Sequence, residues 1–378
     1  MTTARASGLL LVLALVLELA GCSDDQPAKN HDAASASGSG AGGAGTGGGG
    51  GAPGARANGT VGPWQALAAM PEPRANHCSV VAAGWLLVFG GNYKPRGSAD
   101  FVKTDLVHAA RVEPDGTLGA WQAAGKTPSP VTECTVAVHG SSVLLVDGIY
   151  DVDSDGSQVW SAELTDGGML GAWTSLGALP PGQRMLSSEA ETNDATLFVM
   201  ATELPDAGDA VLTYRADVSN GLGAWSSDAW LPGFRGQPMY AFTAGYVYAI
   251  GGYLGATQGN EVVARVDGAP RGRGGSIGKT FPTEAMPAPL SFGEAIAVDE
   301  YLFVVGGKKA ILDGTGQPTV TSSKVVSDGH VAPWTAQTPL PEGRTNHDMV
   351  LGGDFLYVTG GGSDGPGLDT VFSAQVRF

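Results

Sequence analysis

The chain has 378 residues, and 37 acidic against 21 basic side chains give it a net charge of −16. A surface this acidic repels phosphate backbones, which excludes nucleic acid as an expected partner. Glycine contributes 59 residues and charged side chains only 15% of the chain, a composition typical of a turn-dense β protein with one flexible tract and not of long amphipathic helices.

Residues 1–21 have the pattern of an export signal. One basic side chain, Arg5, precedes an apolar run over residues 9–19 that only Glu18 interrupts. This run is shorter than the about 20 residues that span a bilayer, so it favours a cleaved signal peptide.

The signal ends in Leu19-Ala20-Gly21-Cys22, which resembles the lipobox of bacterial lipoproteins. The resemblance implies that Cys22 is lipidated and becomes the mature N-terminus of an exported, lipid-anchored protein. Ser23 in the following position resembles lipoproteins that are sorted to an outer membrane. The alternative is a plain secretory peptide with an incidental cysteine.

Residues 22–60 form a tract rich in Gly, Ala and Ser, which we expect to act as a flexible tether. Between residues 38 and 59, 12 of the 22 residues are glycine, and few side chains are able to enter a core. A flexible coil of this length spans roughly 35 Å, enough to lift the next domain off a membrane.

Residues 61–378 repeat at a period near 53 residues, which predicts six copies of one structural unit. Tryptophan marks the register in five copies, and Phe281 takes its place in the remaining one. The marker tryptophans are Trp64, Trp121, Trp173, Trp225 and Trp334.

Each copy also carries a short apolar run that ends at or near glycine, typical of a strand covered on both faces. The runs are residues 86–89, 143–146, 197–201, 246–250, 302–305 and 356–359. An Asp-Gly or Asn-Gly pair then precedes the aromatic marker and predicts the turn between the third and fourth strands. The pairs are Asp115-Gly116, Asp166-Gly167, Asn220-Gly221, Asp267-Gly268 and Asp328-Gly329.

Repeats of about 50 residues with a diglycine and a later tryptophan resemble the kelch family of β-propellers. The resemblance covers residues 61–378 and implies an all-β fold: a six-bladed propeller of four-stranded antiparallel blades. The outer strand that the last blade lacks is supplied by residues 61–67, which closes the ring. The tyrosine usual in this family is mostly missing, and the diglycine is intact in four of six copies.

In such propellers the first strand of each blade lines the central channel, where candidate ligand-binding residues would lie. Arginine stands 16 residues before the first glycine of three pairs, and two of these arginines open matching Arg-x-Asn-His segments. These side chains could hold a carboxylate or phosphate, or they could satisfy loop carbonyls as in ordinary kelch repeats. The candidates are Arg74, Asn76, His77, Arg235, Arg344, Asn346 and His347.

Glu133, Glu294 and Tyr240 are expected near the same channel mouth, where they could act as acid or base. Kelch-like propellers include a sialic-acid mutarotase and a copper-dependent galactose oxidase, and sialidases also have six blades. The sialidase Ser-x-Asp-x-Gly-x-Thr-Trp boxes are missing from this sequence, and no motif matches the copper ligands of the oxidase. No catalytic residue is therefore assigned.

Two further motifs leave alternatives open. Asp151, Asp153 and Asp155 alternate before Gly156, a spacing that could wrap calcium or form a solvated acidic turn. No other cofactor is expected. Once Cys22 is lipidated, Cys78 and Cys134 remain at the starts of neighbouring inner strands, as a disulfide or as two buried thiols.

The sequence thus predicts a monomeric, lipid-anchored propeller of the cell envelope that binds a protein or glycan through its loops. The loops after the second strands differ while the frame repeats, as is typical of recognition on a rigid scaffold. They cover residues 92–100, 150–157, 253–260 and 308–318. The alternatives are a sugar-active enzyme, mutarotase-like or sialidase-like, that uses an Arg/His site for an acidic sugar, and a purely structural envelope protein.

Overall fold

The computed structural model describes residues 57–95, 98, 100–148, 157–180, 185–193, 195–203, 210–255, 259–312, 315–362 and 366–377. The predicted signal peptide, Cys22, nearly all of the tether and the aspartates of the calcium motif lie outside this part of the chain. None of the helices among the described residues has the length and apolar character needed to cross a membrane.

The predicted architecture is confirmed: the described chain forms six sheets of four antiparallel strands. Blades 1 to 3, from the first to the fourth strand, are β2 (Cys78–Ala82), β3 (Trp85–Phe89), β6 (Leu106–Arg111) and β7 (Gln122–Lys126); β8 (Thr135–His139), β9 (Ser142–Val146), β10 (Gln158–Glu163) and β11 (Thr174–Ala178); β12 (Met185–Asn193), β13 (Thr196–Glu203), β14 (Ala210–Asp217) and β15 (Ser226–Pro232).

Blades 4 to 6 follow the same order, except that the fourth strand of blade 6 comes from the beginning of the described chain. They are β16 (Met239–Phe242), β17 (Tyr246–Ile250), β18 (Val266–Pro270) and β19 (Phe281–Thr283); β20 (Ser291–Val298), β21 (Tyr301–Lys308), β22 (Val320–Lys324) and β23 (Thr335–Ala336); β24 (Asp348–Gly352), β25 (Phe355–Thr359), β26 (Val371–Gln375) and β1 (Gln65–Ala66). A small hairpin of β4 (Asn92–Tyr93) and β5 (Val102–Lys103) follows β3, and a 3₁₀ helix covers Arg273–Gly275.

The first strands of the blades surround the central channel, and each contacts the first strand of the next blade all the way round the ring. One end of the channel opens on the loop face, which carries the segments before the first strands and after the second strands. The other end opens on the hairpin face, where the first strand of each blade turns into the second.

The second strands form the core of the blades, as their apolar runs predicted. Leu86, Val143, Val199, Ile250 and Val304 are all completely buried. Sheets packed on both sides exclude water from both faces of these strands, and this burial is the main favourable contribution to folding.

The marker tryptophans tie each blade to the preceding one. Each indole Nε1–H donates to a carbonyl at the outer end of the neighbouring blade, at distances of 2.7–3.0 Å. The donor and acceptor residues are Trp64 and Thr338, Trp121 and Ala68, Trp173 and Lys126, Trp225 and Ala178, and Trp334 and Glu284.

In blade 4, where Phe281 replaces tryptophan, a neighbouring side chain takes over this hydrogen bond. The hydroxyl of Thr280 donates to the carbonyl of Trp230 in blade 3. The ring of ties between blades is therefore complete although the aromatic marker is lost at this position.

The diglycine at the end of a second strand contacts the following blade. The N–H of the second glycine donates to the backbone carbonyl just before the next inner strand, at 2.7–2.9 Å. The pairs are Gly91 and Val131, Gly252 and Leu290, Gly307 and Arg344, and Gly361 and Arg74. Positive φ angles at these glycines favour a residue without Cβ.

One turn prediction is wrong. Asp267 and Gly268 lie inside β18, paired with β17, and the turn of blade 4 is instead the 3₁₀ helix. Arg235 and Arg265 pair with the buried Asp267 carboxylate, and the ring of Phe281 lies where a side chain at position 268 would be. The other four pairs lie between the third and fourth strands, as predicted.

The described chain begins in blade 6. Strand β1 pairs with β26, and Ala57 forms a bridge with Arg377. The N–H of Ala57 donates to the carboxylate of Asp299, in the turn between β20 and β21 on the hairpin face. The N-terminal tract therefore joins the propeller on the face opposite to the channel mouth.

Two glycine variants test whether the diglycine stabilises the ring through its close contact with the next blade as well as through its positive φ. Gly360 and Gly353 both have positive φ, but a Cβ at Gly360 would lie 2.6 Å from the carbonyl oxygen of Arg74, whereas a Cβ at Gly353 meets nothing within 4 Å. We expect Gly360→Ala to lower the free energy of unfolding by about 2 kcal/mol more than Gly353→Ala, since overpacking adds to left-handed strain.

Urea denaturation of the two variants measures this difference. Equal losses of stability would show that the glycine is needed for its backbone conformation alone.

Candidate functional site

The three predicted arginines are clamps inside their own blades. In each, Nη1 donates to the carbonyl of the first glycine, 16 residues further on, at 2.9–3.0 Å. The three pairs are Arg74 and Gly90, Arg235 and Gly251, and Arg344 and Gly360. The side chains are almost fully buried, and none of the three lines the channel mouth. Of the two readings that the sequence left open, the structure shows the one in which arginine satisfies loop carbonyls.

The two predicted histidines lie between blades, at the edge of the mouth. The ring of His77 packs on Gly360 and its Nε2 is 2.8 Å from the hydroxyl of Thr359, while the ring of His347 packs on Gly306. Burial, together with Arg74 and Arg344, lowers the pKa of His77 to about 3, and burial also lowers the pKa of His347. Both rings are therefore neutral at physiological pH.

A belt of five residues surrounds the channel mouth. These residues precede or open the inner strands, and all have φ between 46° and 60°, a conformation that is strained for side chains other than Asn. The belt residues are Asn76, Glu133, Gln237, Phe292 and Asn346.

Backbone hydrogen bonds run from one belt residue to the next. The N–H of Glu133 donates to Asn76, that of Asn76 to Asn346, that of Asn346 to Phe292, and that of Phe292 to Gln237. None of the five belt residues belongs to blade 3. There the gap is closed by a side-chain hydrogen bond, in which Nε2 of Gln237 donates to Oε2 of Glu133 at 3.4 Å. The belt thereby fixes the rim of the mouth with groups from five blades.

Below the belt is a cavity that opens to solvent at the mouth, and its atom-free space together with the solvent at its opening is about 550 Å³. The predicted asparagines, histidines and acid–base candidates all lie on its wall, whereas the arginines do not. The wall also includes residues of β12 that were not predicted from the sequence. The polar and aromatic residues on its wall are Asn76, His77, Glu133, Ser188, Glu189, Gln237, Tyr240, Phe292, Glu294, Asn346 and His347.

The dominant chemistry of the cavity is acidic. Burial raises the pKa of Glu133 to about 7. Burial, reinforced by neighbouring carboxyls, raises the pKa of Glu189 and of Glu294 well above the usual range, and burial raises the pKa of the nearby Asp348 to about 6. All four carboxyls lie on or next to the inner strands. The glutamate side chains are partly buried, and all three line the cavity.

Of these four carboxyls, two accept hydrogen bonds and two have no partner in the described part of the chain. Asp348 accepts hydrogen bonds from Ser79 and Met349, and Glu133 accepts one from Gln237. In the described part of the chain, neither Glu189 nor Glu294 has a hydrogen-bond or ion-pair partner. Arg184, which precedes blade 3 as Arg74 precedes blade 1, lies outside the described residues.

The sequence of β12 contains a pattern that predicts acidic side chains in blade 3, which the 16-residue spacing between arginine and glycine does not reveal. In β12, Glu189 and Glu191 alternate with small residues, which predicts that both carboxyls point to the same side of the strand. Glu191 pairs with Arg271 at the hairpin end of the channel, whereas Glu189, on the wall of the cavity at the mouth, has no ion-pair partner among the described residues.

The remaining sequence candidates have separate outcomes. Cys78 and Cys134 form a disulfide between the inner strands of blades 1 and 2, with their Cα atoms 5.5 Å apart. No group of three or more His, Cys, Asp or Glu side chains among the described residues is arranged to hold a metal ion. The calcium motif at Asp151, Asp153 and Asp155 lies outside those residues and stays a prediction.

The fold and the belt define a six-bladed β-propeller with a polar cavity at the loop-face end of its channel. Comparison with models of known protein families gives no match to this chain, and comparison with curated proteins gives none either. The kelch resemblance therefore rests on the repeat pattern alone.

The raised pKa of Glu133 predicts a specific effect of pH on stability. Because folding raises this pKa from 4.5 to about 7, the native state binds the proton more tightly, and stability falls as the pH rises through that window. We expect Glu133→Gln to remove this fall: the variant should melt at a higher temperature than the parent at about pH 8 and at the same temperature at about pH 4.

Glu284→Gln is the matched control, since it changes the charge equally on an exposed side chain outside the channel. A melting difference that is independent of pH, or the same in both variants, would contradict a buried, proton-binding Glu133.

Proposed function

We propose that the protein is an exported, lipid-anchored binding module of the cell envelope, a divergent kelch-like propeller that captures a ligand at the channel mouth without chemically changing it. The cavity below the belt is the observation that carries the proposal, because polar side chains from every blade converge there. Pockets with a few convergent polar groups on a rigid frame are the usual form of a ligand site.

The strained belt supports the same conclusion. Glu133, Gln237 and Phe292 are held in a left-handed conformation that costs about 1–2 kcal/mol each. Such conformations persist only where surrounding structure fixes them, and they cluster at functional sites. A frame for blade packing alone needs no glutamate in this conformation at the rim of a cavity.

The geometry of the chain suits an anchored protein. The predicted tether joins the propeller beside Asp299 on the hairpin face, so the mouth on the opposite face would point away from the membrane. Fatty-acid labelling of the whole protein in bacteria tests the anchor. We expect labelling of the parent and none of Cys22→Ser, whereas equal labelling would contradict lipidation at this residue.

The charge of the mouth changes the class of ligand that the sequence suggested. The guanidinium groups expected to hold a carboxylate or phosphate are bound to backbone carbonyls, and the cavity wall carries three glutamates. An acidic sugar would meet carboxyl groups there in place of guanidinium groups, which disfavours the sialidase-like alternative.

A second candidate function is acid–base catalysis on a sugar ring. The observation that favours it is the carboxyl of Glu133, whose pKa of about 7 allows it to take up or release a proton near neutral pH. Analysis of the ligand after incubation separates the two functions, because a binding module returns it unchanged.

A variant that covers the mouth tests the binding proposal. The side chain of Gln237 crosses the rim towards Glu133, so Gln237→Trp should obstruct the cavity. We expect ligands found in a screen of sugars, peptides and small metabolites to bind the whole chain, to lose at least tenfold in affinity in this variant, and to be recovered unchanged.

Gln65→Trp provides the matched control, since Gln65 is exposed on β1 at the outer edge of blade 6. It should keep the parent affinity. Ligands that bind both variants equally would place recognition elsewhere, ligands that are converted would favour the enzyme, and a screen with no ligand would favour the purely structural alternative.

A further inference from the structure

The central channel has two different halves that meet below the mouth. The upper half is the acidic cavity, and the lower half is a longer cavity that extends towards the hairpin face. Glu189 and Tyr240 belong to the walls of both, so the two cavities adjoin one another along the channel.

The wall of the lower half combines apolar side chains with polar groups, among them Ser79, Glu191 and Thr192. Its residues come from all six inner strands, and they alternate with residues that pack between the blades. The apolar members are Val80, Val81, Val136, Ala137, Val138, Ala190, Ala241, Phe242, Ala295, Ile296, Ala297, Met349, Val350 and Leu351.

Two carboxyls near the junction of the halves, those of Glu189 and Glu294, have no cationic partner in the described chain. Burial and the repulsion among Glu189, Glu294 and Asp348 raise the pKa of both glutamates, and neither glutamate has a hydrogen-bond or ion-pair partner among the described residues. Ion pairing is the ordinary way to keep such groups inside a protein. A ligand that brings a positive charge to this point would relieve their mutual repulsion.

Two more polar atoms on the wall of the upper cavity await a partner. Among the described residues, Nδ1 of His77 finds no hydrogen-bond partner on a side chain that is only 5% exposed, and the buried hydroxyl oxygen of Ser188 finds none either. Since buried polar atoms are nearly always hydrogen-bonded, unsatisfied atoms beside an open cavity point to a missing donor or acceptor. An ammonium group carries three N–H donors, which both atoms could accept.

We propose that the channel binds a linear aliphatic amine, with its ammonium group between Glu189 and Glu294 and its hydrocarbon chain in the lower half. The proposal rests on the proposed function and names the chemical class of its ligand. An anion would meet carboxyl groups and no Lys or Arg among the described wall residues, and a metal ion would leave the apolar side chains of the lower half unused. A polyhydroxylated sugar would place hydroxyl groups against valine, alanine and leucine.

Binding of unbranched primary amines from propylamine to hexylamine, measured by calorimetry on the whole chain, tests this inference. We expect affinity to rise about fourfold with each added methylene, as burial of one CH₂ group predicts. The matched alcohols should bind at least tenfold more weakly than the amines, and the matched carboxylates should not bind.

Two variants locate the charge. Glu294→Gln should weaken hexylamine binding by about tenfold and leave hexanol binding unchanged, because it removes one carboxylate from the junction at constant size. Glu284→Gln, with the same change of charge on an exposed side chain, should stay within twofold of the parent.

Alcohols that bind as tightly as amines, an affinity independent of chain length, or an unchanged Glu294→Gln variant would each overturn the inference. The proposed function fails separately. If amines do not bind but another ligand class binds and is lost in Gln237→Trp, the mouth is a binding site with a different ligand. If no ligand depends on Gln237, both proposals fail.

Discussion

The glycine pair that ends a second strand is the constraint on which the ring depends. The second N–H donates to the segment before the next inner strand, while in three blades the first carbonyl receives the arginine of its own blade. At Gly360 a side chain would collide with the backbone of Arg74 and the ring of His77. Close approach of two backbones therefore joins the blades near the channel, and the tryptophan ties join them at the periphery.

The same contacts create the mouth. The segment that receives the glycine N–H leads directly into a belt residue, as Arg74 leads to Asn76 and Arg344 to Asn346. Fixing this segment against the preceding blade holds the belt residue in its left-handed conformation. The arginines thus support the site from behind, while carboxyls, carboxamides and the two histidines line the cavity.

Much of the fold could be predicted because it depends on local pattern and on a period. The apolar runs mark the buried second strands, and the tryptophans mark the outer ones. Asp267-Gly268 misled the turn assignment because a buried aspartate next to glycine has the same local sequence as a hairpin turn. Only the pairing of Asp267 with Arg235 and Arg265 distinguishes the two cases, and that pairing is a tertiary contact.

The site was harder to predict for a related reason. A spacing of 16 residues between arginine and glycine is the distance from the start of a blade to its own diglycine, and it says nothing about the direction of the guanidinium. Glu189 lies in a blade whose second strand ends without a diglycine, so no arginine–glycine spacing marked the segment before it. The sequence pattern pointed to the histidines, asparagines and two of the glutamates that line the cavity, but it could not show that the arginines turn away from it.

Amide hydrogen exchange at the second glycines tests most directly whether these contacts close the ring. Gly361 donates to Arg74 across the junction between the last blade and the first, as Gly252 and Gly307 donate across internal junctions. A closed ring predicts that the Gly361 amide exchanges as slowly as the other two, through global unfolding. Rapid exchange at Gly361 alone would show that the ring opens between blades 6 and 1, which would contradict this account.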